Sequence, residues 1–332
     1  MKIDKIYHND CLEQIKKFPD NCIDLIVTSP PYAGKRGMSS TKKIPIKDYV
    51  KWFLPISAEL LRALKPTGSF VLNIKEPATD GERSIYVIKL ILEMREQGWK
   101  WTEEYVWHKK TSFPGKWTNR FRDAWERCLH FTKEKKFKMN QEAVMVPMGD
   151  WAKSRFSNRI VLVRDALTLE TPKKVKDLSK EDRIRRTSKS KSGLDRKVAN
   201  WINRDMVFPD NVLEFAPIVN NKKKHSAAFP DQLPEWFIKL FTDPGDLVLD
   251  PFIGSGTTAV SAIKLGRHYI GIEKQKKYWN IAQKNTKLAK AVPEIKKQIR
   301  NAAKKDLEER IRNIKSVKKN QALDNFNRTN SK

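Results

Sequence analysis

The chain has 332 residues, with 67 Lys and Arg against 39 Asp and Glu, a formal net charge of +28. Hydrophobic residues make up 39%, enough for at least one large core, while no run of eighteen apolar residues and no apolar leader after MKIDKIYHND argues for a membrane span or export. The three cysteines (Cys11, Cys22, Cys128) form no CxxC pair and the five histidines are scattered, which argues against a disulfide framework or a metal site and for a soluble, cytoplasmic protein.

A charge of this sign points to a polyanionic partner, because Lys and Arg that neutralise phosphates release condensed counterions. Along the chain, NCIDLIVTS predicts a strand, DYVKWFLPISAELLRALK an amphipathic helix, and GSFVLNI a strand entered from a PTG turn. SIYVIKLILEMREQG predicts a second helix, and WTEEYVWHK and ERCLHFTK two further strands. Strands separated by helices of this length imply βαβ units and a parallel sheet, hence an α/β fold. From 133 to 224 the periodicity fades and basic residues dominate, most densely in KKVKDLSKEDRIRRTSKSKSGLDRK. This stretch reads as an inserted lobe, a solvated helical face or a linker, with Arg183, Arg185 and Arg186 as candidate DNA contacts. Period returns in FPDQLPEWFIKLFTDPGDLVLDPFIGSGTTAVSAIKLGRHYIGIEK, read as helix, strand, glycine turn, helix and strand. A Lys-rich tail follows from about 283. The division expected is therefore 1–132, an insertion at 133–224, 225–282, and a basic tail at 283–332.

Two stretches carry chemistry. In LDPFIGSGTT, Gly254 and Gly256 allow a tight turn and close backbone approach; Asp250 ends one strand and Glu273 ends the next, placed to accept hydrogen bonds from a ribose diol. The third glycine of a dinucleotide loop is absent, Ala259 standing in its place, and the acidic Asp250 would repel a phosphate while suiting an ammonium. S-adenosyl-L-methionine has an ammonium, a sulfonium and a ribose and no phosphate. Candidate cofactor contacts are thus Asp250, Phe252, Gly254, Ser255, Gly256, Thr257, Thr258 and Glu273. The second stretch, VTSPPY, ends a buried-looking strand on a stiff corner. Pro31 removes an N–H, and the two X-Pro steps hold Ser29 and Pro30 extended. The Pro30 carbonyl and the Ser29 hydroxyl then offer two acceptors, and Tyr32 a stacking face.

VTSPPY together with LDPFIGSGTTAVSA resembles the DNA amino-methyltransferases, in the order of their beta group, over about 3–132 and 225–282. The resemblance implies a Rossmann-like, mostly parallel seven-stranded sheet with flanking helices, a target-recognition region in the insertion, and duplex DNA as substrate. It further implies a restriction endonuclease of the same specificity as functional partner, in a bacterial or archaeal cytoplasm at the nucleoid. Ser29, Pro30, Pro31 and Tyr32 would be catalytic, taking both hydrogens of an exocyclic amine so that its lone pair meets the methyl group. Asp10 matches an acid that contacts the cofactor's adenine in that family, or else caps a helix. His225 and Phe229 are core residues or cofactor contacts. Trp117, Arg120 and Arg122 resemble the wall of the target-base pocket or pack simply, and Lys35 and Arg36 lie in a Gly- and Ser-rich loop that would close over DNA. Serine at 29 favours cytosine N4, where adenine N6 members usually carry Asp or Asn. RNA or protein methylation and a non-catalytic DNA-binding protein are the other readings; the last would predict a damaged corner or loop, and both are intact.

Overall fold

The computed structural model describes residues 1–34, 44–79, 81–110, 119–149, 160–164, 170–174, 206–217 and 229–292. Eight strands form the main sheet: β1 (Lys5–His8), β2 (Ile23–Thr28), β3 (Leu64–Ile74), β4 (Lys100–Lys109), β5 (Trp125–Thr132), β6 (Val212–Phe215), β7 (Leu247–Asp250) and β8 (His268–Glu273). Their order is β1-β8-β7-β2-β3-β5-β4-β6. Only β5 runs against its neighbours, pairing antiparallel with β3 and β4, while every other pairing is parallel. The α/β expectation therefore holds, with one strand more than the seven expected. The extra strand, β6, comes from the range that sequence reading gave to the insertion.

All six residues of β2 are buried, as a strand covered on both faces requires. Alternate residues feed two cores. Ile26 belongs to the core of Tyr49, Phe53 and Leu60 of α2 (Tyr49–Ala63) and Leu90 and Met94 of α3 (Tyr86–Glu96). Leu25 and Val27 belong instead to the core of Phe237 and Phe241 of α4 (Gln232–Phe241) and Ala259 and Ala262 of α5 (Thr257–Lys264). The short α1 helix (Cys11–Ile15) and a last helix over 276–292 complete the layers.

Outside the sheet, Val146–Pro147 pairs antiparallel with Met206–Val207, and Ile160–Arg164 with Glu170–Lys174. The first ribbon joins the chain leaving the sheet to the chain returning toward β6.

Burying Phe241 among Phe237, Phe137 and His130 secures α4 on the sheet. Phe241→Ala should lower the unfolding free energy by about 3–5 kcal/mol in a urea titration, the cost of an aromatic cavity that neighbours refill only in part.

Candidate active site

Parallel pairing of β7 with β2 (Val248 with Leu25, Leu249 with Ile26) sets two strand ends side by side. The glycine loop leaves one and the Ser-Pro-Pro-Tyr corner leaves the other, although about 220 residues separate them in sequence. Ligands of open α/β sheets bind at such carboxyl ends.

The two ends are tied by one carboxylate. Asp250 is 2% exposed, and its Oδ1 accepts from Thr28 Oγ1 at 2.6 Å and from the Phe252 N–H at 3.0 Å. Its Oδ2 accepts from Thr258 Oγ1 at 2.6 Å. Burial pushes its pKa up to about 6, against the opposing pull of these donors. Three donors from β2, the loop and α5 engage its oxygens, so Asp250 ties these elements together at the strand ends. Ser255, Gly256, Thr257 and Thr258 are buried as well, and build the loop from within.

The loop's shape requires its glycines. Gly254 has φ +52° and Gly256 φ +92°, the left-handed region open to glycine. A Cβ on Gly256 would also lie 3.1 Å from Ala282 Cα in the last helix. Loop residues with accessible surface include Phe252, whose ring sits 5.8 Å from that of Trp52, and Gly254. Glu273 accepts from the Gly254 N–H at 3.1 Å and the Gln275 N–H at 2.7 Å, and burial raises its pKa. Asp10 caps α1, its Oδ1 accepting from the Leu12 N–H at 3.0 Å, while Lys274 Nζ reaches Oδ2 at 3.1 Å. The cap is thus real, and it stands beside the β8 end that carries Glu273. Phe229 is buried in the second core.

On the other side of the tie, Pro30 is buried and Ser29 half-buried. Ser29 Oγ donates to Tyr32 Oη at 3.2 Å. Tyr32 Oη lies 2.7 Å from Glu126 Oε2 and 3.1 Å from Asn73 Oδ1. It has one proton to give, and the shorter contact is to the carboxylate. Burial holds the Tyr32 pKa far above its ordinary value, so the phenol stays protonated. Asn73 Nδ2 donates to the Arg127 carbonyl, which orients its amide, and Lys109 Nζ bonds Glu126 Oε1 at 2.6 Å. Sequence reasoning missed Glu126, Asn73 and Lys109: they stand at strand ends with no motif of their own, and only the sheet order brings β3, β4 and β5 to this corner.

Arg120 lies 3.2 Å from Asp123. Between it and Arg122, the Phe121 side chain is 95% exposed. The candidates Lys35, Arg36, Trp117, Arg183, Arg185, Arg186 and His225 lie outside the described residues. Among the described residues no cluster of His, Cys, Asp and Glu could hold a metal ion, and no helix is long and apolar enough to cross a membrane.

Comparison with known proteins agrees with this geometry. Residues 23–284 match the DNA methylase family N6_N4_Mtase. The chain is 30% identical over 293 residues to the type II methyltransferase M.PvuII of Proteus hauseri, covering 82% of this chain and 80% of that one. It is 27% identical over 285 residues to the DNA adenine methyltransferase YhdJ of Escherichia coli K12, covering 82% and 79%. Among solved structures, the cytosine-N4-specific PvuII DNA methyltransferase superposes with a TM-score of 0.59 at 24% identity, over 87% of this chain and 92% of that chain. A putative DNA modification methylase of Thermus thermophilus, complexed with S-adenosyl-L-methionine, gives 0.53 at 22% identity, over 86% and 93%. The chain belongs to the N4/N6 DNA methylase family.

The raised Asp250 pKa has a sign that can be tested. Below about pH 4 the carboxyl is protonated folded or unfolded and contributes nothing; above about pH 6 the folded protein bears the full cost of a buried charge. Stability from this group therefore falls as pH rises through that window, by about 3 kcal/mol at most. Asp250→Asn should gain on the parent protein between pH 4 and pH 7 in urea titrations; a gap that widens the other way would contradict the assignment.

Proposed function

We propose that the protein is a type II, S-adenosyl-L-methionine-dependent DNA methyltransferase that methylates the exocyclic N4 of a cytosine turned out of duplex DNA. In a restriction–modification system it would protect host DNA from an endonuclease of matching specificity. The observation that carries the reading is the Thr28–Asp250–Thr258 tie, which sets a rigid acceptor corner beside a glycine loop suited to a nucleoside without phosphates.

The cofactor fits the residues present. Glu273, held by two backbone N–H groups, is placed for the ribose diol, and Phe252 and Gly254 for the edge of the adenosine. Asp10 with Lys274 borders the adenine side. A phosphate is disfavoured by the buried acid beneath the loop, Asp250. The bound cofactor supplies a methyl group on a sulfonium sulfur; this chain supplies alignment. The amine of cytosine is a poor nucleophile because its lone pair is delocalised into the ring. Ser29 Oγ and the Pro30 carbonyl accept its two hydrogens, favour a pyramidal nitrogen, and aim the lone pair. Tyr32 offers its ring for stacking, a contribution of about 1–3 kcal/mol. The exposed Phe121, flanked by Arg120 and Arg122, suits the stacked bases around the vacated position.

Serine at position 29 and the PvuII likeness support cytosine N4; the YhdJ relative keeps adenine N6 as the alternative outcome. Unmethylated genomic DNA incubated with methyl-labelled cofactor and digested to nucleosides should yield labelled N4-methylcytosine. N6-methyladenine would reassign the base, and no labelled nucleoside would sink the reading. Glu273→Ala should weaken cofactor binding about 10–100-fold by calorimetry, whereas Ser29→Ala should leave that affinity within about threefold and abolish most turnover.

A further inference from the structure

Methylating a neutral amine creates a problem that the two acceptors alone do not solve. Forming the N–C bond from the amine's lone pair, while the S–C bond breaks with its electron pair staying on sulfur, leaves the nitrogen cationic. One proton must leave it. The leading candidate acceptors at the corner, a serine hydroxyl and a proline carbonyl, are far too weakly basic to keep that proton.

Behind them lies a carboxylate that the motif does not contain. Glu126, at the start of β5, is buried, and its two oxygens have different partners: Oε2 has Tyr32 Oη at 2.7 Å, Oε1 has Lys109 Nζ at 2.6 Å. Ser29 Oγ in turn donates to Tyr32 Oη at 3.2 Å. The donors all point one way, from Ser29 to Tyr32 to Glu126. We propose that Glu126 is the terminal proton acceptor of the transfer reaction, working through Tyr32 and Ser29 as a relay. This rests on the placement of the target amine at Ser29 proposed above.

The step balances. The amine proton passes to Ser29 Oγ as the Ser29 hydroxyl proton passes to Tyr32 Oη and the Tyr32 phenolic proton passes to Glu126 Oε2. The serine and tyrosine end neutral, the carboxylate becomes a carboxylic acid, and the methylated amine is neutral. Tyr32 never exists as a phenolate, consistent with the burial that keeps it protonated. Lys109 Nζ, bonded to Oε1, holds the carboxyl group in place. Asn73 Oδ1, the other acceptor near Tyr32, is an amide oxygen and cannot serve as the sink. The same chain also prepares the step: a hydroxyl that donates toward an anion is polarised and accepts more strongly at its free lone pairs. Glu126 thus does not touch the base, and is a positioning and relay residue in place of a direct contact.

The experiment uses the full chain, its DNA and S-adenosyl-L-methionine, with single-turnover rates, cofactor affinity and DNA affinity read separately. Glu126→Gln keeps the shape and an acceptor for Tyr32 and removes the proton sink. It should slow methyl transfer about 100-fold with both affinities within about threefold of the parent. Tyr32→Phe keeps the ring, breaks the relay, and should slow it comparably; it decides the matter alone if Glu126→Gln does not fold. Glu126→Ala should regain at least about tenfold in rate with added formate, a small carboxylate that fits the vacated space, and a purely structural residue would show no such rescue. Parental rates for Glu126→Gln or, where that variant does not fold, for Tyr32→Phe, or a Glu126→Ala defect that formate leaves untouched, would overturn the relay. Ser29→Ala at the parental rate would instead overturn the underlying placement of the amine.

Discussion

A buried carboxylate that is given three hydrogen bonds in place of water holds this molecule's working end together. Asp250 reaches from β7 to Thr28 at the end of β2 and to Thr258 in the first turn of α5. An ionised group at that depth is costly, and its raised pKa is the mark of that cost. What the protein obtains is registry. The glycine loop and the Ser-Pro-Pro-Tyr corner are fixed to a common point, and sub-ångström placement of this kind governs transfer between bound partners.

The division of labour at the strand ends follows from the sheet order. Because β7 and β2 are neighbours, the glycine loop and the proline corner are adjacent; because β3, β5 and β4 follow on the far side of β2, their polar ends can gather behind the corner. Asn73, Glu126 and Lys109 each come from a different strand. Asn73 and Glu126 hold the Tyr32 hydroxyl, and Lys109 holds Glu126 in turn, so the hydroxyl is fixed by the framework of the sheet.

Much of this was legible in the chain. Long apolar segments announced themselves by period, and both motifs were visible because proline and glycine restrict or free the backbone in ways that few other residues can. β1 and β6 were missed since four residues carry too little pattern, and β6 is recruited by pairing with β4 across more than one hundred residues. Asp250 was recognised, but its two threonine neighbours were not. Its motif showed an acid at a strand end; only packing shows that Thr28 and Thr258 enclose it. Glu126 was invisible for a related reason, as its meaning depends on a tyrosine 94 positions away. Gly271 adds a similar lesson, since a Cβ there would meet Ile253 Cγ1 at 2.9 Å, a close approach that no local pattern reveals.

The small ribbon of Val146–Pro147 with Met206–Val207 has a different kind of consequence. It closes the neck through which the chain leaves the β5 side of the sheet and returns to it, with Met148 buried beside it. Whatever lies between is hung from a clasp whose two halves are already side by side, so the entropy of closing that excursion changes by only about 0.6 kcal/mol for each doubling of its length. The catalytic sheet is thereby insulated from the size and composition of the excursion. A longer or shorter excursion beyond the clasp would leave the strand ends, and the groups they carry, where they stand.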